Sequence, residues 1–82
     1  MEIVMIKKVG CSPCKKFEPI VKKEAEKHSL GFRRIMQEDM PEEIRPSYFP
    51  YFYLYKEGEV IEHWGGTNER KLKSVLKRNL NK

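Results

Sequence analysis

The chain has 82 residues, 17 of them basic and 12 acidic, for a net charge of +5. That length fits a single domain over residues 1–82, with a marginal core and little room for a second functional unit. A hydrophobic share of 39% against 35% charged residues excludes a disordered chain, and no apolar run is long enough to span a bilayer.

Ile3 to Val9 reads as the first strand. Its opening run, Ile3-Val4-Met5-Ile6, is continuous rather than alternating, which suits a central strand covered on both faces. Val9-Gly10 then turns the chain into Cys11-Ser12-Pro13-Cys14, which holds both cysteines. From about Ser12 to His28 the pattern is helical, with Phe17, Ile20, Val21 and Ala25 along one side. Pro13 falls in the first turn, where its missing N–H costs little. Pro19 falls inside and predicts a kink, and Gly31 is the predicted stop. Phe32 to Met36 is a second, more polar strand, parallel to the first through a right-handed crossover. Between Gln37 and Tyr48, Pro41 and Pro46 bracket Glu42-Glu43-Ile44-Arg45, room for a turn or two of helix. Phe49 to Tyr55 is an aromatic strand, Lys56-Glu57-Gly58-Glu59 a hairpin turn and Val60 to Trp64 the return strand. Gly65-Gly66 breaks that strand. Thr67 or Asn68 can cap a last helix carrying Leu72, Val75, Leu76 and Leu80 at helical spacing.

A C-x-x-C pair at a strand-to-helix turn reads as a redox dithiol. Two intervening residues leave the first sulfur at the helix end, beside unpaired N–H groups and the positive end of the helix dipole. Both favour thiolate, the form that attacks disulfides. Lys7, Lys8, Lys15 and Lys16 add positive charge nearby in sequence, so Cys11 is the candidate nucleophile. The N-terminus carries no signal-peptide pattern, and the chain is expected to be cytoplasmic. There thiols stay reduced, and a lone pair is not expected to be a structural staple. A zinc set of Cys11, Cys14, His28 and His63 is disfavoured by the spacing of the histidines. No metal and no cofactor are expected. The basic residues Arg70, Lys71, Lys73, Lys77, Arg78 and Lys82 are read as a solvated helix face, because they carry no interleaved aromatics for stacking on nucleic acid. The aromatic run 48–55 is read as a buried strand. Its side chains alternate between faces and should not form one exposed platform.

With motif, element order and hairpin placed, the chain resembles the thioredoxin/glutaredoxin superfamily over nearly its whole length. Cys-Ser-Pro-Cys-Lys-Lys-Phe-Glu-Pro at 11–19 is similar to the thioredoxin active-site helix, Phe49-Pro50 to the loop whose cis-proline faces the dithiol, and Leu54–Val60 to the thioredoxin hairpin. Gly65-Gly66 is similar to the glycine turn before the last helix. The resemblance implies an α/β minimal thioredoxin fold, β-α-β-short α-β-β-α, with a four-stranded mixed sheet and helices on its faces. The size is that of a glutaredoxin. Lys8 matches a basic position that glutaredoxins use for glutathione, and Gly65-Gly66-Thr67-Asn68-Glu69 is loosely similar to a glutathione-binding turn. Pro13 stands where glutaredoxins carry an aromatic residue, and disfavours an iron–sulfur cluster bridging two chains. Tyr48 replaces a usual Thr.

The resemblance implies a thiol–disulfide oxidoreductase that reduces protein disulfides, with Cys11 attacking and Cys14 resolving. Ser12, Pro13, Phe49, Pro50, Trp64 and Gly65 would line the substrate. The implied partners are disulfide-containing proteins and a thioredoxin reductase-like donor or glutathione, with the chain a monomer; neither membrane nor nucleic acid is expected. The alternatives are a glutathione-dependent glutaredoxin-like enzyme and a non-catalytic binding module. Thioredoxins also carry a buried Asp at the position of Met5 and a Lys partner near Ile35. Both polar members are expected to be absent together, since a lone carboxylate would be an unpaired buried charge.

Overall fold

The structure, a computed structural model, describes residues 1–80. Its elements run β1 (Glu2–Lys7), α1 (Ser12–Lys27), β2 (Gly31–Met36), two 3-10 turns at Gln37–Asp39 and Glu42–Ile44, β3 (Tyr51–Lys56), β4 (Glu59–Gly65) and α2 (Glu69–Leu80). The sheet order is β2-β1-β3-β4, with β1 parallel to β2 and the other pairs antiparallel. This is the minimal thioredoxin fold, and β1 is central as its continuous apolar run predicts. β1 stops at Lys7, two residues short of the predicted end, because Val9 is solvent-exposed and Gly10 takes a positive φ to turn into α1.

Strand alternation divides β1. Ile3 and Met5 join Phe52 and Leu54 of β3, Phe17, Val21 and Ala25 of α1, and Leu72, Val75 and Leu76 of α2 in one core. Both α-helices therefore lie against the same sheet face. Val4 and Ile6 point to the opposite face and are equally buried. Register places Tyr53 and Arg33 beside Val4, and Tyr51 and Ile35 beside Ile6. The two 3-10 turns contribute no buried residue. On this side, tyrosine rings from β3 do much of the covering that a helix would otherwise do.

Local sequence explains the ends of the elements. α1 is one continuous helix across the exposed Pro19. Its predicted stop at Gly31 is corrected to Ser29, which takes φ 57°. The Leu30 N–H donates to the Ala25 carbonyl at 2.8 Å and the Ser29 N–H to Glu26 at 3.2 Å, a Schellman arrangement. Gly31 instead opens β2. In the hairpin, Glu57 and Gly58 both have positive φ, as a two-residue turn matched to strand twist demands. Asn68 rather than Thr67 caps α2, accepting the Lys71 N–H at 3.0 Å through Oδ1. Arg78 of α2 bonds Glu62 of β4, and Lys73 pairs with Glu69 at 3.5 Å. The basic face of α2 is thus partly neutralised, as expected of a solvated face; Lys82 lies outside the described residues. No helix among the described residues is long and apolar enough to cross a membrane.

Candidate active site

Cys11 is the N-cap of α1 and Cys14 lies in its first turn. Their Cα atoms are 5.2 Å apart and the sulfurs are joined as a disulfide. The turn that delivers them is set by Gly10 at φ 77° and by the Cys11 N–H donating to the Lys8 carbonyl. Pro13, one position into the helix, has no N–H to leave unpaired. The Cys14 N–H donates to Cys11 Sγ at 3.2 Å. A donor of this kind, with the dipole of a sixteen-residue helix behind it, favours negative charge on that sulfur. The two sulfurs differ in access. Both belong to the core cluster, but Cys11 lies at its edge, 8% exposed, whereas Cys14 is 0% exposed.

The loop before β3 closes one side. The Phe49–Pro50 peptide bond is cis, as the resemblance implies. Pro50 is buried, and its carbonyl accepts the Gly66 N–H at 2.8 Å, which ties this loop to the end of β4. Phe49 is half-buried, with the Lys8 ammonium 5.5 Å above its ring. Ser12 and Pro13 are exposed, and with Lys16, Phe17, Ile20 and Thr67 they line a groove of about 430 Å³.

Two of the predicted substrate contacts are engaged in packing. Trp64 is 5% exposed and stacks on Phe52 at 5.4 Å, so it is a core residue and not a surface contact. Its adjacency to Gly65-Gly66 suggested a rim position, but alternation along β4 turns its ring inward. Gly65 lies beneath the Tyr48 ring and that of Tyr51, whose Cδ1 would be 2.6 Å from an added Cβ. Its small size serves close packing of those rings. The histidines of the rejected metal set are occupied separately. His28 Nε2 lies 3.5 Å from Glu24, and His63 Nδ1 shares a 2.6 Å hydrogen bond with the Tyr51 hydroxyl.

The reading of residue 35 is also corrected. Met5 is fully buried beneath the cysteine helix. Its register neighbour on β2 is Arg34, not Ile35, which pairs with Ile6 and faces the other side. A basic residue is therefore present beside Met5. It is engaged by Glu18, whose carboxylate accepts from Lys7 at 2.8 Å and from Arg34 at 2.7 Å. Lys7 first and Arg34 second hold Glu18 below the usual carboxylate range. Sequence reasoning missed this triad. The charges of Lys7, Glu18 and Arg34 were visible, but only the pairing of β1 with β2 brings them together.

Two bonded sulfurs at the start of one helix, one fully buried and one at the edge of the core, on a β-α-β-β-β-α fold with a cis-proline before β3, define a dithiol–disulfide centre on a thioredoxin fold. Residues 4–78 match the family model described as Thioredoxin. The chain belongs to the thioredoxin family. It is 30% identical over 76 residues to a thioredoxin of Coprinus comatus, covering 85% of this chain and 72% of that one. Thioredoxin 1 of the thermophilic eubacterium Thermosipho africanus superposes with a TM-score of 0.86 at 17% identity, covering 99% of this chain and 96% of the other. A thioredoxin f2, solved in complex with ferredoxin:thioredoxin reductase, superposes at 0.83 with 18% identity, covering 95% and 76%.

Proposed function

We propose that the chain reduces protein disulfides in the cytoplasm, acting as a monomer through Cys11 and Cys14. The observation that carries this reading is the bonded pair of sulfurs at the N-terminus of α1, with Cys14 fully buried and Cys11 at the edge of the core. In the reduced protein the Cys11 thiolate attacks one sulfur of a substrate disulfide. The other substrate sulfur leaves as thiolate and takes a proton. Cys14, shielded from solvent, then gives up its proton and attacks the Cys11 sulfur of the mixed disulfide, releasing the second substrate thiol. Two electrons have passed to the substrate, and the protein is left as the Cys11–Cys14 disulfide. Pro50 and the backbone of Phe49 hold the substrate segment in extended form beside the dithiol, with Ser12 and Pro13 on the opposite side. Trp64 and Gly65 support this surface from below.

A thioredoxin reductase-type protein is the proposed donor. The relative solved with a reductase makes that class of partner reasonable, and Pro13 and Tyr48 replace residues through which glutaredoxins face glutathione. Insulin reduction tests both parts. Activity should be driven by a thioredoxin reductase in preference to glutathione, and Cys11→Ser should abolish it. Cys14→Ser should accumulate a mixed disulfide with substrate. Equal alkylation of both thiols in the native reduced protein would overturn the assignment of roles.

A further inference from the structure

The dithiol stands in a stretch without acids. From Ile3 to Phe17 the chain carries Lys7, Lys8, Lys15 and Lys16 and no Asp or Glu. The next acid, Glu18, is held by Lys7 and Arg34. Among the described residues, no carboxylate lies within ion-pair distance of Lys8, Lys15 or Lys16. Lys15 and Lys16 also lie near the N-terminus of α1, where the helix dipole disfavours cations, and the first turn holds no acid to offset it. These lysines therefore do not serve the stability of the helix.

Two of them flank Cys11 in sequence, Lys8 three residues before it and Lys16 five after. Lys8 reaches over Phe49 on the cis-proline side, 5.5 Å from the ring. Lys16 lines the groove together with Pro13, Phe17 and Ile20. We infer that this rim selects substrates: protein disulfides flanked by acidic side chains, with an apolar neighbour entering the groove beside Lys16. This rests on the oxidoreductase reading above and names its substrate class. Opposite charges across a forming complex accelerate encounter and exclude like-charged partners. The unpaired lysines also favour the Cys11 thiolate. That effect acts equally on every substrate, so it cancels in a ratio of rates for two substrates on one protein.

The test uses single turnover of the pre-reduced chain, so no electron donor is required. Three oxidised peptides share one disulfide loop and differ only in acidic, neutral or basic flanking residues. Each rate is divided by the rate of the same peptide with dithiothreitol, which removes differences in intrinsic disulfide reactivity. The acidic peptide should react about tenfold faster than the basic one at low ionic strength, and the preference should collapse in high salt. A Lys8→Glu, Lys16→Glu double variant should reverse the order. Equal normalised rates, or a preference that survives both charge reversals, would overturn charge selection while leaving the oxidoreductase reading in place. Failure of the wild-type chain to reduce any of the three would remove both.

Discussion

Trp64 shows how a single residue was legible in one respect and hidden in another. Its membership of an edge strand followed from the hairpin pattern, but its direction depended on where that strand ends and how it pairs. Register with Phe52 turns the indole into the core, where its Nε1–H is buried without a partner among the described residues. A buried unpaired donor costs of the order of 1–3 kcal/mol. Two substitutions separate the ring from its polar atom. Trp64→Phe removes the orphan donor along with some packing, and is expected to cost less than about 1.5 kcal/mol. Trp64→Ala leaves a cavity against Phe52 and should cost about 3–5 kcal/mol. Urea unfolding midpoints measure both. A Phe variant as unstable as the Ala variant would show that Nε1 is satisfied in solution, by a bound water for example. Peptide disulfide reduction by Trp64→Phe should match the wild type if Trp64 makes no substrate contact.

At the scale of elements, the pattern of β3 was readable and its consequence was not. Alternation correctly separates Phe52 and Leu54 from Tyr51, Tyr53 and Tyr55. Alternation across the whole run predicts no single platform, yet three tyrosines at alternate positions necessarily share a face. Tyr51 contacts the Tyr48 ring at 5.6 Å and the Tyr53 ring at 5.5 Å, and His63 approaches both Tyr51 and Tyr53. The resulting half-exposed platform exists because the connection between β2 and β3 forms only two 3-10 turns. The prolines in that connection predicted short structure, but not what it would leave uncovered. Burial pushes the Tyr51 hydroxyl above its ordinary pKa, with Tyr48 adding to the effect; burial does the same to Tyr53. Gly65 is the point on which this packing turns. Its backbone φ is ordinary for any residue, so a change to alanine acts through space alone. Gly65→Ala should cost about 1–3 kcal/mol by forcing the Tyr48 and Tyr51 rings aside. Tyr48→Ala in the same chain should recover part of that loss, since Tyr48 is the more exposed of the two rings. Additive effects in the double-mutant cycle would show that Gly65 and Tyr48 do not meet.

For the whole molecule, the fold was legible because each local signal agreed with the same global arrangement. The continuous run of β1, the cysteine helix, the hairpin and the capped last helix all point to one sheet order. Contacts between charged groups distant in sequence were not legible, because they depend on register. The Lys7–Glu18–Arg34 triad is the clearest case, since it fastens α1 to both parallel strands at once. It also makes a prediction about stability and pH. Hydrogen bonds first from Lys7 and then from Arg34 lower the pKa of Glu18 in the folded state below its ordinary value of 4.5. The unfolded chain therefore takes up a proton at Glu18 at a higher pH than the folded chain does. The triad's contribution is complete above the unfolded pKa and is lost as pH falls through the folded one. Arg34 is more than half exposed and solvent screens its share, so the contribution at neutral pH should be modest, about 1 kcal/mol. Glu62, lowered by Arg78 and Asn79, acts in the same direction and steepens the acid limb. Glu18→Gln should lower the urea midpoint at neutral pH, and its stability should fall less steeply than the wild type's below pH 4.5. The two curves should converge at lower pH, where Glu18 is protonated in both folded and unfolded chains. Curves that stay parallel throughout the acid range would mean that Glu18 titrates alike in the folded and unfolded states, and that the triad does not tie α1 to the sheet in solution.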